Sequence, residues 1–552
     1  MNEYIVTCRS YEDLEDLYDD METPGGSLYI PDRAVDLVYR RAISRNTHYM
    51  LTEEEAVEIR NDERVIACER LAKDRGIIPD YMWIQTGNFE KTTGTLQNDD
   101  KNWGLYRVVE GDTVSNWGSN NVTEISNRTI VTTSSGKNVD VVIVDAHINP
   151  DHPEFAVNPD GSGGSRVNQF NWFQYSSTLG YSTDATYTYS TSGASPNSNH
   201  GTHVAGTVAG NTQGWARDAN IYNMAFQDSL SGVTDWDEKL WDYLRHFHKN
   251  KSINSATGRR NPTITNHSWG YSYDSVYLSG LTSVSYRGTA TSLSGTDSEK
   301  KTVLEDNGVP VPAGDYLYRI PARVAAVDAD IQDAINDGVI VISSAGNSYW
   351  NCDTSSGDDY DNYVSSISTY YHSRGSSPGS ADNVICVGSI GSLTNEYKSH
   401  FSNWGDRVDI WAPGGDIISA VYDQSSASAD NYGSLPQDPR NSSYYLASIS
   451  GTSMSSPQVC GVIACLFEQE PFLTQAEVLQ HLKENALAEV GTTGTINHSG
   501  YYAFGNSHNR YLFMNMKRPK TGTLFPAALY KNRNSDSNGV KYPRVRNNRV
   551  FK

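Results

Sequence analysis

The chain has 552 residues, enough for more than one domain and a large buried core. At 37% hydrophobic and 20% charged it reads as globular rather than disordered. A net charge of −21 argues against a nucleic-acid partner, which needs a basic face, and favours solubility without bearing on fold. Six cysteines over this length make no dense disulfide framework, and no CxxC pair suggests zinc. No apolar run approaches the roughly 18 residues of a membrane span, and the start shows no basic segment followed by an apolar one. Neither a transmembrane helix nor an ordinary signal peptide is therefore expected, and where the protein acts is left open.

Residues 1–71 form a first unit: a strand at Tyr4-Ile5-Val6-Thr7-Cys8, an acidic helix over Tyr11–Met21, a short helix, and a closing strand at Val65-Ile66-Ala67-Cys68-Glu69. Thr52 followed by Glu55 is a capping box, so the short helix starts there. Residues 72–102 are polar, weakly patterned and linker-like, the kind of segment where chains are cut.

Val139-Asp140-Val141-Val142-Ile143-Val144 reads as a strand buried on both faces, with Asp145 at its carboxyl end, where α/β proteins collect functional groups. On its own, a strand-end aspartate more often serves structure. Asn199-His200-Gly201-Thr202-His203 opens a helix. Two histidines on one helix could hold a metal, but no acidic residue stands at the HExxH spacing. His200 suits a general base, and His203, one turn on, a packing or hydrogen-bonding role. Val339-Ile340-Val341-Ile342 is a second buried strand, ending in Ser343-Ser344-Ala345-Gly346-Asn347. Ile449-Ser450-Gly451-Thr452-Ser453-Met454-Ser455-Ser456-Pro457 precedes a helical apolar run, which puts Ser453 at a helix start. Read alone, that stretch is a capped turn. A serine hydroxyl becomes a nucleophile only beside a base.

Taken together, Asp145, His200 and Ser453 resemble the Asp…His…Ser triad of the subtilisin family of serine proteases, with His152-Pro153-Glu154-Phe155, His200-Gly201-Thr202-His203 and Gly451-Thr452-Ser453-Met454 in the family's order. The likeness is to the proteinase K branch, through Trp103-Gly104-Leu105-Tyr106-Arg107-Val108 and Phe401-Ser402-Asn403-Trp404-Gly405. It implies an α/β fold of three layers, a parallel sheet flanked by helices, with a small α+β propeptide in front. The implied activity is peptide-bond hydrolysis through an acyl-enzyme by a precursor that processes itself in the linker. The partners would be protein or peptide substrates and its own propeptide as intramolecular inhibitor, in a monomer with no membrane or specific nucleic-acid partner.

By the same resemblance Asn347 is the oxyanion donor, and Ser268-Trp269-Gly270 is a substrate edge facing a floor of Ala345 and Gly346, with Trp269 narrowing specificity. Asn347 and His200 also separate the chain from sedolisins, which carry an aspartate at the oxyanion position. Calcium would be held by Asp409 with carbonyls near Asp382 and Val384. One departure stands out: Ala146-His147 follow Asp145 where the family has Ser/Thr-Gly. The catalytic domain would span 103–515, with loop-like surface insertions near 271–318 and 351–380, and a basic tail over 516–552. The rival expectation is a non-catalytic scaffold, for example a virion component. A processing protease with a single partner fits the same triad.

Overall fold

A computed structural model describes residues 1–29, 36–81, 102–111, 132, 134–181, 187, 189, 198–225, 236–311, 314–391, 397–422, 435, 437–487, 505 and 507–514. The expected basic tail and most of the linker lie outside the described residues.

The N-terminal unit runs β1 (Asn2–Cys8), α1 (Tyr11–Glu22), β2 (Asp36–Arg40), β3 (Asn46–Leu51), α2 (Glu53–Arg60) and β4 (Val65–Arg70). Its strands form one antiparallel sheet in the order β2-β3-β1-β4. The sequence reading missed β2 and β3, which carry only short apolar patches. The expected capping box is present: Glu55 N donates to Thr52 Oγ1 and Thr52 N to Glu55 Oε2. Tyr4, Val6, Leu14, Leu17, Met21, Tyr49 and Ile59 close a separate core. The expected linker begins with structure instead, a 3-10 turn (Ala72–Arg75) and β5 (Ile77–Tyr81).

The body follows as α3 (Trp103–Glu110), β6 (Asp140–Asp145), β7 (Val167–Asn168), α4 (Ser198–Ala209), β8 (Asn220–Ala225), α5 (Trp236–Asn250), β9 (Thr263–His267) and β10 (Trp269–Tyr277). Next come β11 (Ser283–Tyr286), β12 (Thr289–Ser292), α6 (Asp297–Asp306), β13 (Tyr316–Pro321), α7 (Ala325–Asp337), β14 (Ile340–Ser344), β15 (Tyr363–Ser365) and β16 (Thr369–Tyr371). The chain continues with β17 (Ile385–Ile390), β18 (Ile410–Pro413), β19 (Ile417–Val421), β20 (Gln437–Asp438), β21 (Asn441–Ile449), α8 (Thr452–Gln469) and α9 (Gln475–Asn485).

Seven parallel strands make the central sheet, in the order β18-β17-β14-β9-β6-β8-β7. Strand alternation divides it: Val141 and Ile143 pack among residues of α4 and α8, while Val142 and Val144 pack among residues of α5 and α7. Each buried Val or Ile side chain stabilises this layering by roughly 1.5–3 kcal/mol. On one face α4 and α8 cross closely because Gly461 has no side chain; a Cβ there would sit 2.7 Å from Val208 O.

The two insertions are not loops. Strands β12-β11-β15-β16 draw on both and form one four-stranded sheet over a core of Leu278, Val284, Leu304, Leu317, Trp350 and Val364. This lobe joins the body through β13, which pairs with β10.

The N-terminal unit docks on α5 and α7 through buried charge. Arg41 reaches Asp242 (2.9 Å) and Asp330 (2.7 Å), all three side chains being essentially inaccessible to solvent. Arg45 pairs with Asp333 (3.2 Å), and Asn46 Nδ2 donates to Asp330 (3.0 Å) and Ala326 O (3.1 Å). Removing Arg41 leaves two buried carboxylates facing each other. Arg41→Ala is expected to weaken this docking by ~3–5 kcal/mol. In full-length Ser453→Ala protein, hydrogen exchange should then rise across residues 36–51, α5 and α7 without a matching rise in β6 and β14; unchanged protection would contradict the role given to Arg41.

Candidate active site

Three strand ends of the parallel sheet supply the site. Strand β6 ends in Asp145, which is fully buried; its Oδ1 accepts from Ala146 N (2.7 Å) and from His200 Nδ1 (2.7 Å). Helix α4 brings His200 there because Gly201 follows it: a Cβ at Gly201 would lie 2.5 Å from Ala146 O. The unusual Ala146-His147 pair leaves the Asp145–His200 contact intact. The His147 carbonyl accepts from Thr202 Oγ1 (3.4 Å), and its ring meets Tyr189 edge-on. His203 points away, sharing Nε2 between Ile417 O (2.9 Å) and Ala447 O (3.1 Å). Burial pulls its pKa down to about 3, so it is a neutral strut between β19 and β21.

Strand β9 ends at His267 and delivers Ser268, whose hydroxyl donates to Ser453 O (2.9 Å) while its carbonyl accepts from Ser453 Oγ (3.1 Å). Pro457 explains this exchange. It stands four residues after Ser453 inside α8, so the helix offers Ser453 O no N–H. Ser268 fills the vacancy and is itself held by Asn266 Nδ2 (2.9 Å), with Ser456 Oγ donating to Asn266 Oδ1 (2.8 Å). The supporting roles of Asn266 and Ser456 behind Ser268 were not anticipated.

Strand β14 ends at Ser344 and leads into Ala345-Gly346-Asn347. Thr452 grips this loop at three points. Its Oγ1 accepts from Gly346 N (3.1 Å) and donates to Asn347 Oδ1 (2.8 Å), and its N–H donates to the same Oδ1 (2.9 Å). Asn403 holds the other side, giving N–H to Gly346 O (2.8 Å) and Nδ2 to Ala345 O (2.9 Å). With Oδ1 committed twice, Asn347 Nδ2 is left buried without a partner among the described residues. Ser453 N lies in the first turn of α8. The sequence places Thr452 inside the motif but gives no sign that it is the clamp.

Gly270 and the Trp269 backbone lie on β10, paired with Asp80 and Tyr81 of β5. The Trp269 side chain does not narrow a pocket. It is fully buried against His267 and Tyr271, on the interior side of β10.

The expected calcium residues do not fit a cation. Asp409 Oδ2 already pairs with Arg407 (2.8 Å), and Oδ1 with Lys483 (3.3 Å). The carbonyl of Val384 accepts from Arg407 Nη2 (2.8 Å), as does that of Ala381 (2.6 Å), and Ser380 O accepts from Nε (3.3 Å). The oxygens that would ligate a metal surround a guanidinium, and Asp382 is exposed. No cluster of three or more His, Cys, Asp or Glu suited to a metal occurs among the described residues. All six cysteines are unpaired and buried. No described helix is long and apolar enough to cross a membrane.

Comparison with known proteins agrees with this geometry. Residues 136–510 match the model of the Subtilase family of S8 peptidases. The chain is 26% identical over 364 residues to alkaline protease 1 of Emericella nidulans, covering 66% of this chain and 60% of that protein. It is 28% identical over 316 residues to an alkaline proteinase of Hapsidospora chrysogena, covering 57% and 52%. The chain thus spans little more than half the length of these two relatives. Among solved structures, fervidolysin from Fervidobacterium pennivorans, described as a keratinolytic enzyme related to subtilisin, shares the fold at a TM-score of 0.50. It is 16% identical, covering 93% of this chain and 60% of that one.

Two outcomes follow. Thr452→Val keeps the shape but removes the hydroxyl that fixes Asn347, so kcat should fall by about tenfold or more with KM nearly unchanged; a loss confined to KM would contradict the clamp. Arg407→Ala strips three carbonyls of their donor and leaves the Asp409 carboxylate with only Lys483 and the Cys386 N–H. The urea midpoint should fall by the equivalent of ~3–5 kcal/mol, and calcium should recover part of that loss in the variant alone.

Proposed function

The chain belongs to the subtilase family, and from that premise we propose that it is a serine endopeptidase hydrolysing protein or peptide substrates through an acyl-enzyme. The observation that carries this reading is the Asn347 amide. A buried N–H without a partner costs ~1–3 kcal/mol, a penalty that a substrate oxyanion would relieve.

The residues divide the work. His200, its Nδ1 committed to Asp145, takes the Ser453 proton on Nε2 as Oγ attacks the carbonyl carbon. Asp145 fixes the imidazole tautomer and stabilises the cation that forms. Asn347 Nδ2 and Ser453 N receive the negative oxygen. His200 then returns the proton to the leaving amine, and water, activated by the same imidazole, releases the acyl group. An extended substrate would add a strand to the edge that starts at Ser268, with Ala345 and Gly346 small enough to let it close in. The N-terminal unit is the intramolecular inhibitor in this reading, since β5 covers that edge. No step calls for a metal.

Asn347→Ala should lower kcat by ~10²–10³ while Ser453 still reacts with a fluorophosphonate. His200→Ala should abolish that labelling. A wild-type protein that neither labels nor hydrolyses a casein substrate would defeat the proposal.

A further inference from the structure

The loop between β17 and β18 is folded round a cation of its own. Lys398 is buried, and its ammonium donates to three carbonyls within the next four residues: Ser399 O (3.0 Å), His400 O (3.4 Å) and Ser402 O (2.9 Å). No carboxylate pairs with it among the described residues, and burial pulls its pKa down to about 7. A cation buried without a counter-charge is costly, and here three carbonyl dipoles favour the charged form.

The same loop is fixed to the end of β17. Ser399 N donates to Ser389 O (2.8 Å), Ser389 N to Ser402 Oγ (3.1 Å), and Ser402 Oγ to Asn403 O (2.8 Å). Asn403 comes next, and four of its bonds straddle Asn347. On one side its N–H donates to Gly346 O (2.8 Å) and its Nδ2 to Ala345 O (2.9 Å). On the other its Oδ1 accepts from Ser348 N (3.1 Å) and Trp350 N (2.9 Å). The turn that carries Asn347 is thus wrapped round one side chain, and the carbonyl cage delivers that side chain.

We propose that Lys398 is a positioning residue for oxyanion binding, an inference that rests on the serine endopeptidase reading above. Its ammonium draws the Ser399, His400 and Ser402 carbonyls inward, which sets Asn403 and, through it, the direction of the Asn347 amide. Without the charge the three carbonyls repel one another, the loop opens, and Nδ2 loses its aim. Ser453 and the Asp145–His200 pair, held through β9, β6 and α4, stay in place.

A double-mutant cycle in the full-length chain tests this, with kcat normalised to the Ser453 sites that react with a fluorophosphonate. Lys398→Met keeps the length of the side chain and removes the charge; kcat on a chromogenic peptide is expected to fall by about tenfold with KM nearly unchanged. In an Asn347→Ala background the same substitution should cost no more than about twofold, because the amide it positions is gone. Lys398→Gln, which keeps two donors, should lie between wild type and Lys398→Met, and it carries the cycle if Lys398→Met does not fold. Losses that multiply across the two sites, an unchanged kcat, or a loss confined to KM would overturn the positioning role and leave the protease reading standing. A wild type that neither reacts with the fluorophosphonate nor cleaves the peptide removes that reading, and this inference with it.

Discussion

The missing N–H of Pro457 is the constraint around which the site is arranged. A proline four residues into a helix from its nucleophile removes one backbone bond, at a cost ordinarily near 3 kcal/mol. Here the bare carbonyl belongs to Ser453, and the Ser268 hydroxyl satisfies it from the end of β9. The proposed nucleophile is thereby tied to the strand proposed to receive substrate, through the two hydrogen bonds between Ser268 and Ser453. Thr452, one residue earlier, ties the same helix start to the end of β14 and sets the Asn347 amide. Two consecutive residues of one helical turn thus tie Ser453 to the ends of both β9 and β14, the fixity that catalysis by preorganised dipoles would need under the proposed function.

The main motifs were legible in the sequence because their physics is local. Unbroken apolar runs at 139–144 and 339–342 identify strands buried on both faces, and Thr52 with Glu55 identifies a helix start from two residues. The triad was read from motif order and Asn347 from the family resemblance, and the strand ends that carry Asp145 and lead to Asn347 are where those readings expected them. The rest was hidden because it depends on partners distant in the chain. The Arg407 guanidinium finds its oxygens at Ser380, Ala381, Val384 and Asp409, and nothing in their spacing distinguishes a guanidinium from a metal as the occupant. Trp269 reads as a pocket residue until the strand's alternation turns it inward.

The insertions show the same limit on a larger scale. Each contributes strands of only three or four residues, too short for a period-2 pattern to register, and polar enough to read as loop. Their sheet exists only because β11 from one insertion pairs with β15 from the other. A strand pair formed across that separation has a high loop-closure cost, and it is recovered by a core of its own around Leu304, Leu317 and Val364.

All these connections converge on β10. Its first residues adjoin the nucleophile, one edge takes β5, and the other takes β13 from the insertion lobe. A substrate edge is otherwise an exposed strand with unpaired groups, prone to bend and to pair indiscriminately. Clamping its far side into a second sheet removes one of those edges permanently and makes the remaining one straight and selective for extended chain. The N-terminal unit, anchored through Arg41 on α5 and α7, places its own strand there, and Pro79 disfavours a one-residue slip, which would put its absent N–H at a bonded position. Under the proposed function, the same rigidity would align a substrate carbonyl with Ser453.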